Sequence, residues 1–293
     1  MPAHPDAQLH PVATGLAKGL VDQHQAEQPL KLYAGWFCPN LPANQPPTVQ
    51  RVWLALEEKQ IPYQYIEVNP YNKPDSLLKL NPRGLVPTLE VPNPQDPSNP
   101  KPLYESNIVL EYLEEAYPDH KPHFLPENNP YEKARARIWV DFVTSRVIPA
   151  FHRFLQYQPE ANASPEDAEA GLEKVRTEFL GALKTWINEA DPEGPYFLGK
   201  DISLPDLVLA PWGVRLWLFD HFKGGLGLPA EGSVDDDQAW QRWRKWLKAI
   251  EARKSIQQTT SETEHYLPIY KRYSDNVAQS ELAKATRTGR GVP

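Results

Sequence analysis

A single cysteine in 293 residues excludes any intrachain disulfide and any structural zinc site built on thiolates. It also removes the usual argument for an oxidising compartment. No apolar run approaches the ~18 residues that a membrane-spanning helix needs. The first 30 residues lack an apolar core flanked by basic residues, so no secretory signal is read. Positive charge is in short supply. With 31 Lys and Arg against 38 Asp and Glu the net charge is −7, and a general nucleic-acid-binding role, which needs a basic footprint, is not expected. No GxxxxGK(S/T) phosphate loop is present. Of the 8 histidines only His120 and His123 stand at close spacing, in a proline-flanked loop with no carboxylate close behind, so no metal site is read. These absences leave a cytoplasmic protein of one or two domains, with no membrane or nucleic-acid partner. Hydrophobic residues at 40% and charged residues at 24% suit a buried core, and 32 prolines imply many sharp stops.

Residues 1–28 are polar, rich in Pro, Ala, Gln and His, and read as a mobile leader. Leu30–Ala34 alternates apolar and polar and predicts a strand. Trp36-Phe37-Cys38-Pro39 follows, and then a Pro/Asn-rich stretch, Asn40–Thr48, that breaks regular structure. From Val49 the period becomes helical, with Val52, Trp53 and Leu56 on one face, until Ile61-Pro62. Tyr63–Val68 predicts a second strand, Asp75–Leu80 a short helix, and Val86–Glu90 and Leu103-Tyr104 two further strands. Ser106 caps a helix carrying Ile108, Val109, Tyr112 and Leu113. Residues 30–117 thus read β-α-β-α-β-β-α. Beyond Pro118 the pattern is helical: a long helix over Tyr131–Leu155 with a bend at Pro149, a helix after the Ser164-Pro165 cap, a capping box at Ser203–Asp206 ahead of apolar Leu207–Phe219, and an amphipathic helix through Trp240, Trp243 and Ile250. The tail past Tyr273 reads as disordered. The expected domains are a thioredoxin-like unit over 29–118 and an all-helical unit over 128–273, between the leader 1–28 and the tail 274–293.

The strand–WFCP–helix start is followed, in order, by Asn72-Lys73-Pro74, Asn81-Pro82-Arg83-Gly84-Leu85-Val86-Pro87, Tyr104-Glu105-Ser106 and Glu111–Pro118. Together these resemble omega-class glutathione transferases and their fungal relatives over roughly residues 29–270. The resemblance implies an α/β thioredoxin-like N-terminal domain and an all-α C-terminal domain. It implies glutathione as co-substrate with no metal, and a homodimer.

Cys38 stands after a strand and ahead of a helix, where a helix dipole and free amides lower a thiol pKa; the family uses its equivalent cysteine to form a mixed disulfide with glutathione. Nine residues, Asn40–Thr48, stand where the family usually has one. Two outcomes are open. Either the insert loops outward and leaves Cys38 at the helix mouth, or it draws Cys38 away and Thr48 brings a hydroxyl there instead. Val86-Pro87 looks like the cis-proline that pairs the Val86 backbone with the cysteinyl part of glutathione. Glu105 and Ser106 resemble the pair that holds the γ-glutamyl ammonium and carboxylate, and Lys73 matches a lysine that reaches glutathione. Trp212 and Arg215 lie where the family borders its second-substrate pocket. The implied activity is a glutathione-dependent thiol transferase or reductase acting on glutathionylated thiols or small oxidised acceptors such as dehydroascorbate. The rivals are a non-catalytic glutathione-site binder and a hydroxyl-based conjugating transferase.

Overall fold

The structure, a computed structural model, describes residues 12–35, 46–69, 72–278 and 281–289. They divide into two compact units, one from 1–123 and 253–269, the other from 124–252 and 270–293.

The first unit is built on a four-stranded sheet, β1 (Lys31–Gly35), β2 (Gln64–Val68), β3 (Thr88–Val91) and β4 (Lys101–Tyr104), in the order β2-β1-β3-β4. β1 and β2 run parallel with Leu32 opposite Tyr65. The pair is joined by a crossover through α2 (Pro46–Lys59), as a parallel pair requires. β3 lies antiparallel between β1 and β4, with Leu32 opposite Leu89 and Leu89 opposite Leu103. Pro102 and Lys101 sit on the edge strand, where neither disrupts an inner ladder. α2 packs beside α4 (Ser106–Ala116), and Val52, Leu56, Val109, Leu110 and Leu113 are closed off from water. Burying each such side chain contributes roughly 1.5–3 kcal/mol. α3 (Asp75–Leu80) leads into the turn before β3.

Three features depart from the sequence expectations. Helix α2 is described from Pro46, inside the stretch read as irregular. Prolines are tolerated in a first turn because the amides there lack an intrahelical partner anyway. The mobile leader is replaced, at Gly15–Gln23, by a docked helix, α1, which buries Ala17, Leu20 and Val21. Its partner is α11 (Lys254–Gln258), and the backbone N–H of Ala13 donates to Glu67 Oε1 at 2.6 Å while Thr14 Oγ1 donates to Glu262 at 2.5 Å. Residues 253–269, expected in the helical domain, belong to this unit. Gln50 Nε2 donates to Thr259 Oγ1 and Thr260 Oγ1, both at 3.0 Å, and Arg253 pairs with Glu58.

The second unit opens with a continuous run of α5 (Pro130–Phe142), a π-helical turn (Val143–Val147) and α6 (Ile148–Gln156). The bend expected at Pro149 takes the form of that wide turn, because Pro149 has no N–H and the ladder ahead of it shifts to i→i+5 bonding, Ile148 N–H donating to Val143 O. Phe151 and Phe154 of α6 pack on Phe179 of α7 (Pro165–Asn188) and on Phe219, with the Phe154 and Phe219 rings stacked at 4.2 Å. Leu207–Phe219, read as one apolar stretch, is split between α8 (Leu204–Gly213) and α9 (Trp217–Phe222). Every residue of α8 is buried. Asp206 Oδ2 accepts from the Ser203 amide at 2.8 Å, and Oδ1 from the Phe197 amide at 2.9 Å and from Trp246 Nε1 at 2.8 Å. Trp246 belongs to α10 (Gln238–Glu251). It packs so tightly on Gly213 that a Cβ there would lie 2.9 Å from the indole ring. After α12 (Thr263–Ser274), the tail read as disordered carries α13 (Glu281–Thr288), set against α6 with Ala283 and Ala285 buried.

Candidate functional site

The site residues of the first unit converge through two short segments. The turn Asn81–Leu85 is tied by its own side chains. Asn81 Oδ1 accepts from the Arg83 amide at 3.2 Å, Asn81 Nδ2 donates to Thr88 Oγ1 at 3.1 Å, and Thr88 Oγ1 donates to Leu85 O at 2.7 Å. That lattice delivers the Val86–Pro87 peptide, which is cis, to the head of β3. Val86 and Pro87 are buried. Gly84 takes φ +60°, and a Cβ there would sit 2.7 Å from Lys73 Nζ, so glycine answers both the backbone conformation and the close passage of the lysine. Lys73 lies over that glycine, its ammonium donating to Arg83 O at 3.4 Å, and partial burial lowers its pKa from the ordinary lysine value.

The second segment is the mouth of α4. Glu105 precedes the helix with φ 68°, a conformation unusual for a residue with a side chain. Its carboxylate does not cap its own helix. It is largely exposed and lies 3.6 Å from Arg83 Nη1, so Lys73, Arg83 and Glu105 form one polar line. Ser106 is the first residue of α4, next to the first-turn amides. Beneath it lies a residue not singled out from the sequence. Arg51 of α2 is 1% exposed and donates from Nη1 to Ser106 Oγ at 3.4 Å and to Asn107 Oδ1 at 3.3 Å. Burial pushes its guanidinium down to about 9. A cationic residue on an apolar-looking helix gives no periodicity signal, because α2 is closed in from Val49 through Leu56 on every side.

The structure thus brings Lys73, Glu105 and Ser106 into one connected patch, with Val86 following the same turn. Cys38 lies outside the described residues, as does Asn40–Gln45. Thr48 falls in the first turn of α2. Trp212 and Arg215 belong to the second unit, where exposures of 1% and 3% are those of core residues; Arg215 Nη1 donates to Pro211 O at 2.5 Å. Among the described residues no group of three or more His, Cys, Asp or Glu is placed to hold a metal.

An acidic residue held off its own helix, beside free first-turn amides, a hydroxyl and a lysine, offers partners for both an ammonium and a carboxylate on one ligand. Comparison with known proteins supplies the family. Residues 47–116 match the N-terminal domain of glutathione S-transferases and residues 169–249 their C-terminal domain. The chain belongs to the glutathione S-transferase family. Glutathione S-transferase omega-1 of Sus scrofa is 36% identical over 188 residues, 64% of this chain and 67% of that protein. The chloroplastic glutathione S-transferase DHAR3 of Arabidopsis thaliana is 30% identical over 218 residues, 74% of this chain and 70% of that one. Among solved structures, glutathione transferase Omega 3C from Trametes versicolor is 41% identical with a TM-score of 0.73, covering 90% of this chain and 98% of that one. The chain therefore spans about two thirds of the length of these curated relatives and nearly all of the solved one. The expected fold, a thioredoxin-like domain and a helical domain, is the one found.

Proposed function

We propose that this glutathione transferase is an omega-like thiol transferase. Glutathione would be seated by Lys73, the Val86 backbone, Glu105 and Ser106, and Cys38 would be the nucleophile. The observation that supports the seat best is the mouth of α4, where the Glu105 side chain makes no capping hydrogen bond to its own first turn. In the first half-reaction the Cys38 thiolate attacks the glutathione sulfur of a mixed disulfide. The Cys38–glutathione disulfide forms and the substrate leaves as a thiolate. In the second, a glutathione thiolate attacks that glutathione sulfur, releasing oxidised glutathione and returning the Cys38 thiolate. Small oxidised acceptors such as dehydroascorbate take the same two electrons from two glutathione molecules. A homodimer in the cytoplasm belongs to this reading, and light scattering of the purified chain tests the dimer.

The place of Thr48 in α2 favours a second reading. Thr48 stands in the first described turn of that helix, and a hydroxyl there suits conjugation to electrophiles. The two readings part in one experiment. The pH dependence of Cys38 alkylation, with mass spectrometry after oxidised glutathione, is expected to give a thiol pKa below the free value of ~8.5 and a single adduct on Cys38. A normal or raised pKa without an adduct, together with conjugating activity that survives Cys38→Ala and is lost in Thr48→Ala, would put the hydroxyl in the cysteine's place.

A further inference from the structure

We propose that Arg51 is a positioning residue of the glutathione site: its buried guanidinium anchors the first turn of α4 through Ser106 and Asn107, and so sets how that turn receives the α-carboxylate of the γ-glutamyl group. The inference rests on the reading that glutathione binds there. Three observations carry it. The guanidinium is 1% exposed, in a helix whose packing an apolar side chain would serve at far lower desolvation cost. Its Nη1 reaches two consecutive side chains of α4, Ser106 and Asn107, at 3.4 and 3.3 Å. Those two residues open the helix at the point where Glu105 withholds its own cap. The charge lies on the same side of the fold as the positive end of the α4 dipole, so both act on an anion in one sense. In this scheme Arg51 acts through the two residues it holds, Ser106 and Asn107.

The test uses two ligands and two variants of the full chain. Glutathione carries both the α-ammonium and the α-carboxylate; 4-aminobutyryl-Cys-Gly keeps the ammonium and lacks the carboxylate. Dissociation constants are measured by calorimetry for the wild-type chain, Arg51→Met and Asn107→Ala. Arg51→Met is expected to weaken glutathione about tenfold and Asn107→Ala about threefold, the loss of both charge-assisted hydrogen bonds or of one of them. Both variants are expected to leave the carboxylate-free peptide within about twofold of wild type, because the contact they disturb is absent from it. Equal weakening of the two ligands, or no change in either variant, would overturn the role of Arg51 while leaving glutathione in the site. A wild-type chain that binds neither ligand would overturn the glutathione reading and this role with it. If Arg51→Met does not unfold cooperatively, Asn107→Ala, at a half-buried surface position, decides with the same pair of ligands.

Discussion

At the scale of single residues, Glu105 is the position where local conformation and chemistry oppose each other. A side chain at φ 68° costs on the order of 1–3 kcal/mol, and the fold retains it without a compensating cap. Glycine removes that strain but also removes the carboxylate. Glu105→Gly is therefore expected to raise unfolding stability by about 1 kcal/mol and to weaken glutathione about tenfold or more. Glu105→Gln keeps the strain and is expected to lose affinity without gaining stability. Denaturant midpoints and glutathione titrations check both; a Glu105→Gly chain no more stable than wild type would mean the conformation is relaxed by something other than the carboxylate's function. Glu105, Ser106 and Lys73, the proposed seat for glutathione, could be picked out from the sequence because short ordered motifs mark them. Arg51 was not, since burial of a charge leaves no trace in spacing, and Gly84 gained its meaning only once Lys73 was seen to pass over it.

At the scale of elements, what could be read followed the local signals. The strands fell where alternation placed them, and the capping box at Ser203–Asp206 was visible from its residue types. Asp206 turns out to do more than cap. It joins the head of α8 to the Phe197 amide and to Trp246 of α10, and burial raises its pKa against the lowering effect of those hydrogen bonds. Asp206→Ala leaves two buried amides and an indole N–H without an acceptor, and is expected to destabilise the protein by about 3 kcal/mol or more, read as a lowered denaturant midpoint. Asp206→Asn keeps one of the two acceptor oxygens and is expected to lose less. Equal losses in the two variants would show that the charge, not the hydrogen bonds, holds α8. The elements missed were those whose stability is tertiary. α1 has three buried residues, Ala17, Leu20 and Val21, in an otherwise polar stretch, and it folds because α11 and the bonds from Ala13 and Thr14 receive it. α13 is held in the same way by α6, with Arg287 donating to Ala278 O at 2.6 Å. The break between α8 and α9 follows directly on Pro211 and Gly213, breaker residues that the reading of one apolar stretch passed over.

At the scale of the whole molecule, the response to acid depends on a group of the second unit that the proposed chemistry does not use. His152 is buried in α6 against the rings of Phe151 and Tyr273, and among the described residues neither ring nitrogen has a hydrogen-bond partner. Burial without a partner pushes its pKa from 6.5 to about 3. Below pH 6.5 the unfolded chain binds a proton at this histidine that the folded chain refuses. The contribution of His152 to stability is therefore intact above 6.5 and is lost as pH falls from there towards 3, at about 1 kcal/mol for each pH unit. Burial also raises the carboxyl groups of Asp206 and Glu67 towards this range, so the histidine is isolated only by the difference between the wild type and a variant that lacks it. His152→Phe keeps an aromatic ring among aromatic neighbours and removes the titration. Relative to His152→Phe, the wild-type stability is expected to fall by about 1–2 kcal/mol across the interval from 6.5 to 5, measured as denaturant midpoints at fixed ionic strength. Parallel curves for the two chains would mean that His152 gains a proton without unfolding, through water or a rearranged neighbour, and the acid limb would then belong to the carboxylates.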